Sequence, residues 1–127
     1  MVVEIEETVI HGQQLGRRLG FPTANMDMSA FPDVENGVYR SSVSIDGYDY
    51  LAMSNVGVRP SVDGRTRLLE THLFGYCGDL YGRRLRVRLI EKIRDERRFG
   101  SVDELREQLE RDSAQILAHQ ADAVAGK

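Results

Sequence analysis

Short β-rich segments alternate with Gly-containing turn dipeptides from Val2 to Ile93, and this rhythm leaves few folds open to the chain. The clearest segment is 85–93. There Leu85, Val87 and Leu89 alternate with Arg84, Arg86 and Arg88, the period of two expected of a strand with one face buried. Val2 to Ile10 is rich in Val, Ile and Thr, imperfectly alternating with Glu. Gly37 to Ile45 runs into Asp46-Gly47, a tight hairpin signal, and Tyr48 to Val56 follows. Asp63-Gly64 marks another turn before Arg67 to Tyr76. No repeat, low-complexity tract or linker interrupts this order, so residues 1–127 read as a single domain.

Near residue 100 the period changes. Val102, Leu105, Leu109 and Ile116 fall on one helical face, with Glu, Arg and Gln opposite. Ser101 followed by Glu104 has the spacing of a capping box, so a helix is predicted over about 101–119, with 121–127 as a tail. Strands over about 2–99 and one terminal helix predict a mostly-β fold, a small antiparallel barrel with the helix packed outside.

Composition narrows the function. Apolar residues make up 41% and charged residues 29%, which is neither a disordered nor a membrane composition. The first ten residues carry Glu where a signal peptide carries Lys or Arg, and the single Cys77 has no internal disulfide partner. A cytoplasmic domain with no membrane partner is expected. Seventeen basic against twenty acidic residues give a net charge of −3, which disfavours a nucleic-acid partner. The basic groups are nonetheless bunched, Arg83, Arg84, Arg86 and Arg88 preceding Lys92, Arg94, Arg97 and Arg98. Such a patch suits a phosphorylated small molecule.

Three segments carry candidate chemistry. In Gly12 to Asn25, glycines at 12, 16 and 20 are interleaved with Arg17 and Arg18. Glycines let backbone N–H groups approach an anion closely, and arginines add charge-assisted bonds. An ordinary flexible loop has the same composition. Pro22 ends that loop, and Thr23 and Asn25 then place two neutral oxygens on one face of an extended segment. Such oxygens suit a Mg²⁺ ion that arrives bound to a nucleotide, although an Asx- or ST-turn uses the same residues.

In Leu68 to Phe74, strand alternation puts Glu70 and His72 on one face and Leu69, Thr71 and Leu73 on the other. A carboxylate there is a candidate general base, a partner for a structural Arg, or with His72 part of a transition-metal site. His11, His119 and Cys77 lack the ligand spacing that the last reading needs. The third segment joins Asp79-Leu80-Tyr81-Gly82 with Ile93 to Phe99, where aromatics and cations could hold a flat ring, or form a solvated turn.

In this order the motifs resemble the riboflavin kinase family, including the C-terminal module of bacterial bifunctional FAD synthetases. The resemblance rests on Val9-Ile10-His11-Gly12, Gly16 to Asn25, Gly37-Val38-Tyr39, Asn55 to Pro60, Glu70-Thr71-His72, Asp79 to Gly82, and Ile93-Arg94 with Phe99. It runs from about Ile5 to Ala118. It implies a six-stranded antiparallel Greek-key barrel and phosphorylation of the ribityl 5′-hydroxyl of riboflavin by Mg-ATP, giving FMN and ADP. It further implies Glu70 as catalytic base and Thr23 and Asn25 as Mg²⁺ ligands. Gly12, Gly16, Arg17, Gly20, Thr23 and Tyr81 are implied for ATP, and Arg94, Arg97 and Phe99 for the flavin.

Glu7 stands where family members often have Gly, and Ser61 where they often have Thr. The loop 12–20 is shorter than its eukaryotic counterparts, which leaves either Arg17 or Arg18 to reach phosphate. The chain opens almost at the module boundary. A free-standing kinase or an excised domain is therefore expected, monomeric, with an upstream nucleotidyltransferase domain in a full-length bifunctional protein and no FAD synthesis of its own. Two rival classes are an OB-type nucleic-acid barrel and a non-catalytic flavin-binding module.

Overall fold

The computed structural model describes residues 2–11, 19–61 and 64–125, the last of them, 119–125, as backbone only. Six strands come first: β1 (Val3–Thr8), β2 (Ala24–Asp27), β3 (Gly37–Ile45), β4 (Tyr48–Ser61), β5 (Gly64–Leu73) and β6 (Arg84–Arg94). One helix follows, α1 (Val102–Ala125). The chain divides into two compact units, Met1–Glu96 and Arg97–Lys127.

All strand pairs are antiparallel, in the order β1-β6-β3-β4-β5-β2. Strands β3, β4 and β5 form a meander, and β6 returns to lie beside β3, which is a Greek key. The two edges approach each other just after β1. Ile10 forms an antiparallel bridge with Asn25, its N–H donating to the Asn25 carbonyl at 2.8 Å. The sheet is thereby nearly closed into a barrel.

Alternation explains the interior. Ile5, Met26, Val43, Ala52, Val56, Leu69, Val87 and Leu89 fill it, each almost wholly buried. Ser41, Ser54 and Thr71 are also completely buried, and their hydroxyls bond to one another, Ser41 to Ser54 at 2.7 Å and Ser54 to Thr71 at 2.8 Å. Buried polar groups persist in a core when they satisfy one another in this way.

Strand β3 has the predicted bounds, and its hairpin to β4 turns at Asp46 and Gly47 with φ of 50° and 87°, as a type I′ turn requires. Strand β4 is longer than predicted and continues to Ser61, because its outer half finds a partner in β5. Strand β2, short and preceded by Pro22, shows no alternation long enough to predict a strand. It exists because β5 supplies its ladder partners.

The Arg-rich stretch of β6 departs from the expectation of a phosphate-binding patch. Arg84 and Arg86 bind Glu6 at 3.1 Å each, Arg88 approaches Glu4 at 3.7 Å, and Arg83 binds Asp46 at 3.1 Å. For Arg84, Arg86 and Arg88 register is the cause, since β1 lies antiparallel to β6 and sets its acidic face against them. Lys92 is likewise held by Glu35 and Asp95.

At the helix start, the Ser101 hydroxyl accepts the Glu104 N–H at 3.2 Å, and the Glu104 carboxylate accepts the Gly100 N–H at 2.9 Å. The capping box thus reaches one residue further back than the usual form. The helix runs past His119 to Ala125. Ile116 is buried and Leu105 and Leu109 half-buried, but Val102 is 52% exposed. A helical side chain leans toward the N-terminus, and at the first helical position no preceding turn lies there to cover it. Among the described residues no helix is long and apolar enough to cross a membrane.

Candidate active site

Strand register sets the candidate residues in a row on the outer face of the barrel. Glu70 of β5 lies opposite Asn25 of β2 on one side and Asn55 of β4 on the other. The pleat that sends Leu69, Thr71 and Leu73 inward sends Glu70 and His72 outward, as predicted. Thr23, just before β2, donates its hydroxyl to Asn25 Oδ1 at 3.1 Å. His72 Nδ1 lies 2.8 Å from the Pro22 carbonyl, and its ring meets Phe21 and Phe74 edge-on at 5.3 and 5.2 Å. The Thr23–Asn25 segment is therefore tied to β5 by backbone pairing and by the His72 ring.

Thr23 and Asn25 are the residues that could hold a magnesium ion. Octahedral ligands at about 2.1 Å from Mg²⁺ lie about 3 Å apart, and hard neutral oxygens are acceptable to it. The 3.1 Å between Thr23 Oγ1 and Asn25 Oδ1, here a hydrogen bond, is a separation that two such ligands can also adopt. Two neutral oxygens could supply only part of such a shell, the rest coming from phosphate oxygens and water.

Glu70 is ion-paired. Arg59 of β4 donates Nη2 at 2.9 Å and Nε at 3.1 Å, both to Glu70 Oε1, and Nη1 at 2.7 Å to Glu96 Oε1. Burial works against the guanidinium's charge, yet the two carboxylates outweigh it and hold the Arg59 pKa above its ordinary value. Glu96 is able to come this close because residue 57 is Gly. A Cβ there would overlap the Glu96 carboxylate. No individual role was legible in the sequence for Asn55 or Arg59, within the family-matching stretch Asn55 to Pro60, or for Glu96, within the candidate segment Ile93 to Phe99. The signal available for Arg59 was the alternation Asn55, Gly57, Arg59 on one face of β4. Glu96 gave none, because only the fold brings the segment after β6 to β4.

Tyr81 is half-exposed in a turn whose N–H donates to the Asp79 carboxylate at 2.9 Å. Its ring stacks on His11, with centroids 3.6 Å apart. His11 directly follows Ile10, the partner of Asn25, which places Tyr81 at the barrel's seam. Gly20 has φ of 87°, a left-handed conformation that favours glycine. Gly12, Gly16 and Arg17, with Arg18, lie outside the described residues. Arg94 ends β6, its Nη1 donating to the Asp95 carbonyl at 3.0 Å. In the second unit the Arg97 guanidinium lies 5.1 Å above the Phe99 ring and donates to Gln108 at 2.8 Å.

The family model for flavokinase, riboflavin kinase, matches residues 1–119. The chain belongs to the riboflavin kinase family. The bifunctional riboflavin kinase/FMN adenylyltransferase of Pseudomonas fluorescens is 45% identical over 112 residues, covering 87% of this chain and 36% of that protein. The chain thus spans about a third of the length of such curated relatives.

Among solved structures, a macrolide-efflux protein from Streptococcus pneumoniae matches with a TM-score of 0.77 at 35% identity, over 87% of this chain and 37% of that one. The efflux in that name is a statement about that protein alone. Riboflavin kinase from Trypanosoma brucei matches with a TM-score of 0.61 at 22% identity, over 93% of this chain and 79% of that one, and shows the shared fold.

Proposed function

We propose that this chain is a riboflavin kinase module that transfers the γ-phosphoryl group of Mg-ATP to the ribityl 5′-hydroxyl of riboflavin, giving FMN and ADP. The observation that carries the reading is the Asn25–Glu70 register, which sets a carboxylate on the strand beside the Thr23–Asn25 oxygen pair. Family membership supports the choice of substrate.

In this reading Glu70 accepts the proton of the attacking hydroxyl. Thr23 Oγ1 and Asn25 Oδ1 would hold Mg²⁺, which when bound neutralises charge on the phosphates. Gly12, Gly16 and Gly20 offer backbone N–H groups to the phosphates, with Arg17 beside them and Tyr81 on the nucleotide side. Arg94, Arg97 and Phe99 cover the flavin. Phosphoryl transfer asks mainly for positioning and electrostatic stabilisation, which two loops on a rigid barrel can supply. The same reading takes the chain as one kinase domain, monomeric and cytoplasmic. An upstream nucleotidyltransferase domain is its covalent partner where the full-length protein carries one.

Incubation with riboflavin, ATP and Mg²⁺, followed by chromatography, tests the proposal. FMN is expected to accumulate with matching ADP; bound but unchanged riboflavin would overturn it. The Arg59–Glu70 ion pair favours one second reading, in which Glu70 serves structure alone. On that reading Glu70→Gln would lower stability and leave turnover of the folded fraction intact.

A further inference from the structure

A general base is effective only when its lone pair is aimed, and a free Glu side chain samples many rotamers. The bonds around Glu70 limit that freedom unevenly. Both Arg59 contacts fall on Oε1, and Oε2 carries no bond among the described residues. One oxygen is held and the other is left for a donor.

A lone Arg beside the base would also cancel its charge. Here the guanidinium is shared. Its Nη1 goes to Glu96 at the shortest of the three distances, 2.7 Å against 2.9 and 3.1 Å for the bonds to Glu70. Two carboxylates on one cation leave a net negative charge, so Glu70 can be oriented without being neutralised. The side chains of Arg59, Glu70 and Glu96 are only 21%, 20% and 29% exposed, which limits screening by solvent. The planar fork of Arg can serve both partners at once, whereas the point charge of Lys cannot. Gly57 provides the room for Glu96, and the requirement there is space, since φ at this glycine is not positive.

We propose that Arg59 is a positioning residue for phosphoryl transfer: it fixes Glu70 through Oε1, with Glu96, seated over Gly57, balancing its charge so that Oε2 stays available to the substrate hydroxyl. This rests on the reading of Glu70 as base.

The test is a double-mutant cycle in the full chain, following FMN formation with γ-labelled ATP. Arg59→Ala is expected to lower kcat roughly 10–100-fold while KM for riboflavin and for ATP shifts less than about 3-fold. In a Glu70→Gln background the same substitution is expected to change the residual rate less than about 3-fold, because its target is gone. Arg59→Lys keeps the cation without the fork and should lose turnover as well, which covers the case in which Arg59→Ala does not fold. Gly57→Ala should displace Glu96 and lower kcat in the same direction.

Equal losses in both backgrounds would overturn the proposal, as would an effect confined to KM for ATP, which would make Arg59 a phosphate ligand. Full turnover by Glu70→Gln would also overturn it. None of these results removes the kinase reading, which stands or falls on FMN formation by the unaltered chain.

Discussion

Exchanging Glu70 for Gln preserves the side chain's volume and removes its ability to take a proton. If the carboxylate is the base, turnover is expected to fall about 10²–10⁴-fold, measured as FMN formed per folded protein. The sequence left Glu70 open as a base, as a partner for a structural Arg or as part of a metal site with His72, and the structure shows the Arg partner, Arg59. Thr23→Ala removes one of two oxygens lying 3.1 Å apart. Its expected effect is a several-fold higher Mg²⁺ requirement, roughly 3–10-fold, read from a Mg²⁺ titration of the rate. An unchanged requirement would remove Thr23 from the ligand set.

At the scale of elements, the β1–β6 pair and the start of α1 make separate predictions. Hydrogen bonds from Arg84 and then Arg86 hold the Glu6 carboxyl below its ordinary value of 4.5. A carboxylate whose pKa is depressed by folding stabilises the fold above its unfolded value, and this contribution is lost as pH falls through the folded value. Glu6→Gln lacks that contribution at every pH. The gap in thermal midpoint between wild type and Glu6→Gln is therefore expected to narrow as pH drops from about 6 to about 3, and to be modest throughout because the pair is exposed. At α1, Ser101→Ala removes the acceptor for the Glu104 N–H, and chemical denaturation followed by far-UV circular dichroism should show a loss of about 1 kcal/mol.

Closure of the barrel links its stability to its site at the scale of the whole molecule. Asn25 seals the seam through its carbonyl, which accepts the Ile10 N–H, while its side chain belongs to the candidate metal pair. Inside the barrel, Ser54 is bonded to both Ser41 and Thr71. Ser54→Ala leaves two buried hydroxyls without that partner, and urea denaturation should register a loss of about 1–3 kcal/mol. A stability equal to wild type would mean that the three-hydroxyl chain contributes nothing to the fold.

Local patterns determined much of this protein by themselves. Alternation in β5 and β6, Asp46-Gly47 in the hairpin and Ser101 with Glu104 at the helix start are short-range signals, written within a few residues of where they act. They made the mostly-β class, the outward face of Glu70 and the side-by-side oxygens of Thr23 and Asn25 legible. The tertiary structure alone decided which charges meet. The arginines of β6 read as a patch for phosphate until β1 brought Glu4 and Glu6 against them, and Arg59 had no visible partner until β5 and the segment after β6 brought Glu70 and Glu96 to it. Strand β2 is of the same kind, too short to announce itself and formed by its partner. The physical reason is common to all three: an ion pair or a ladder bond needs two groups distant in the chain, and a sequence specifies each group without specifying which one will face it.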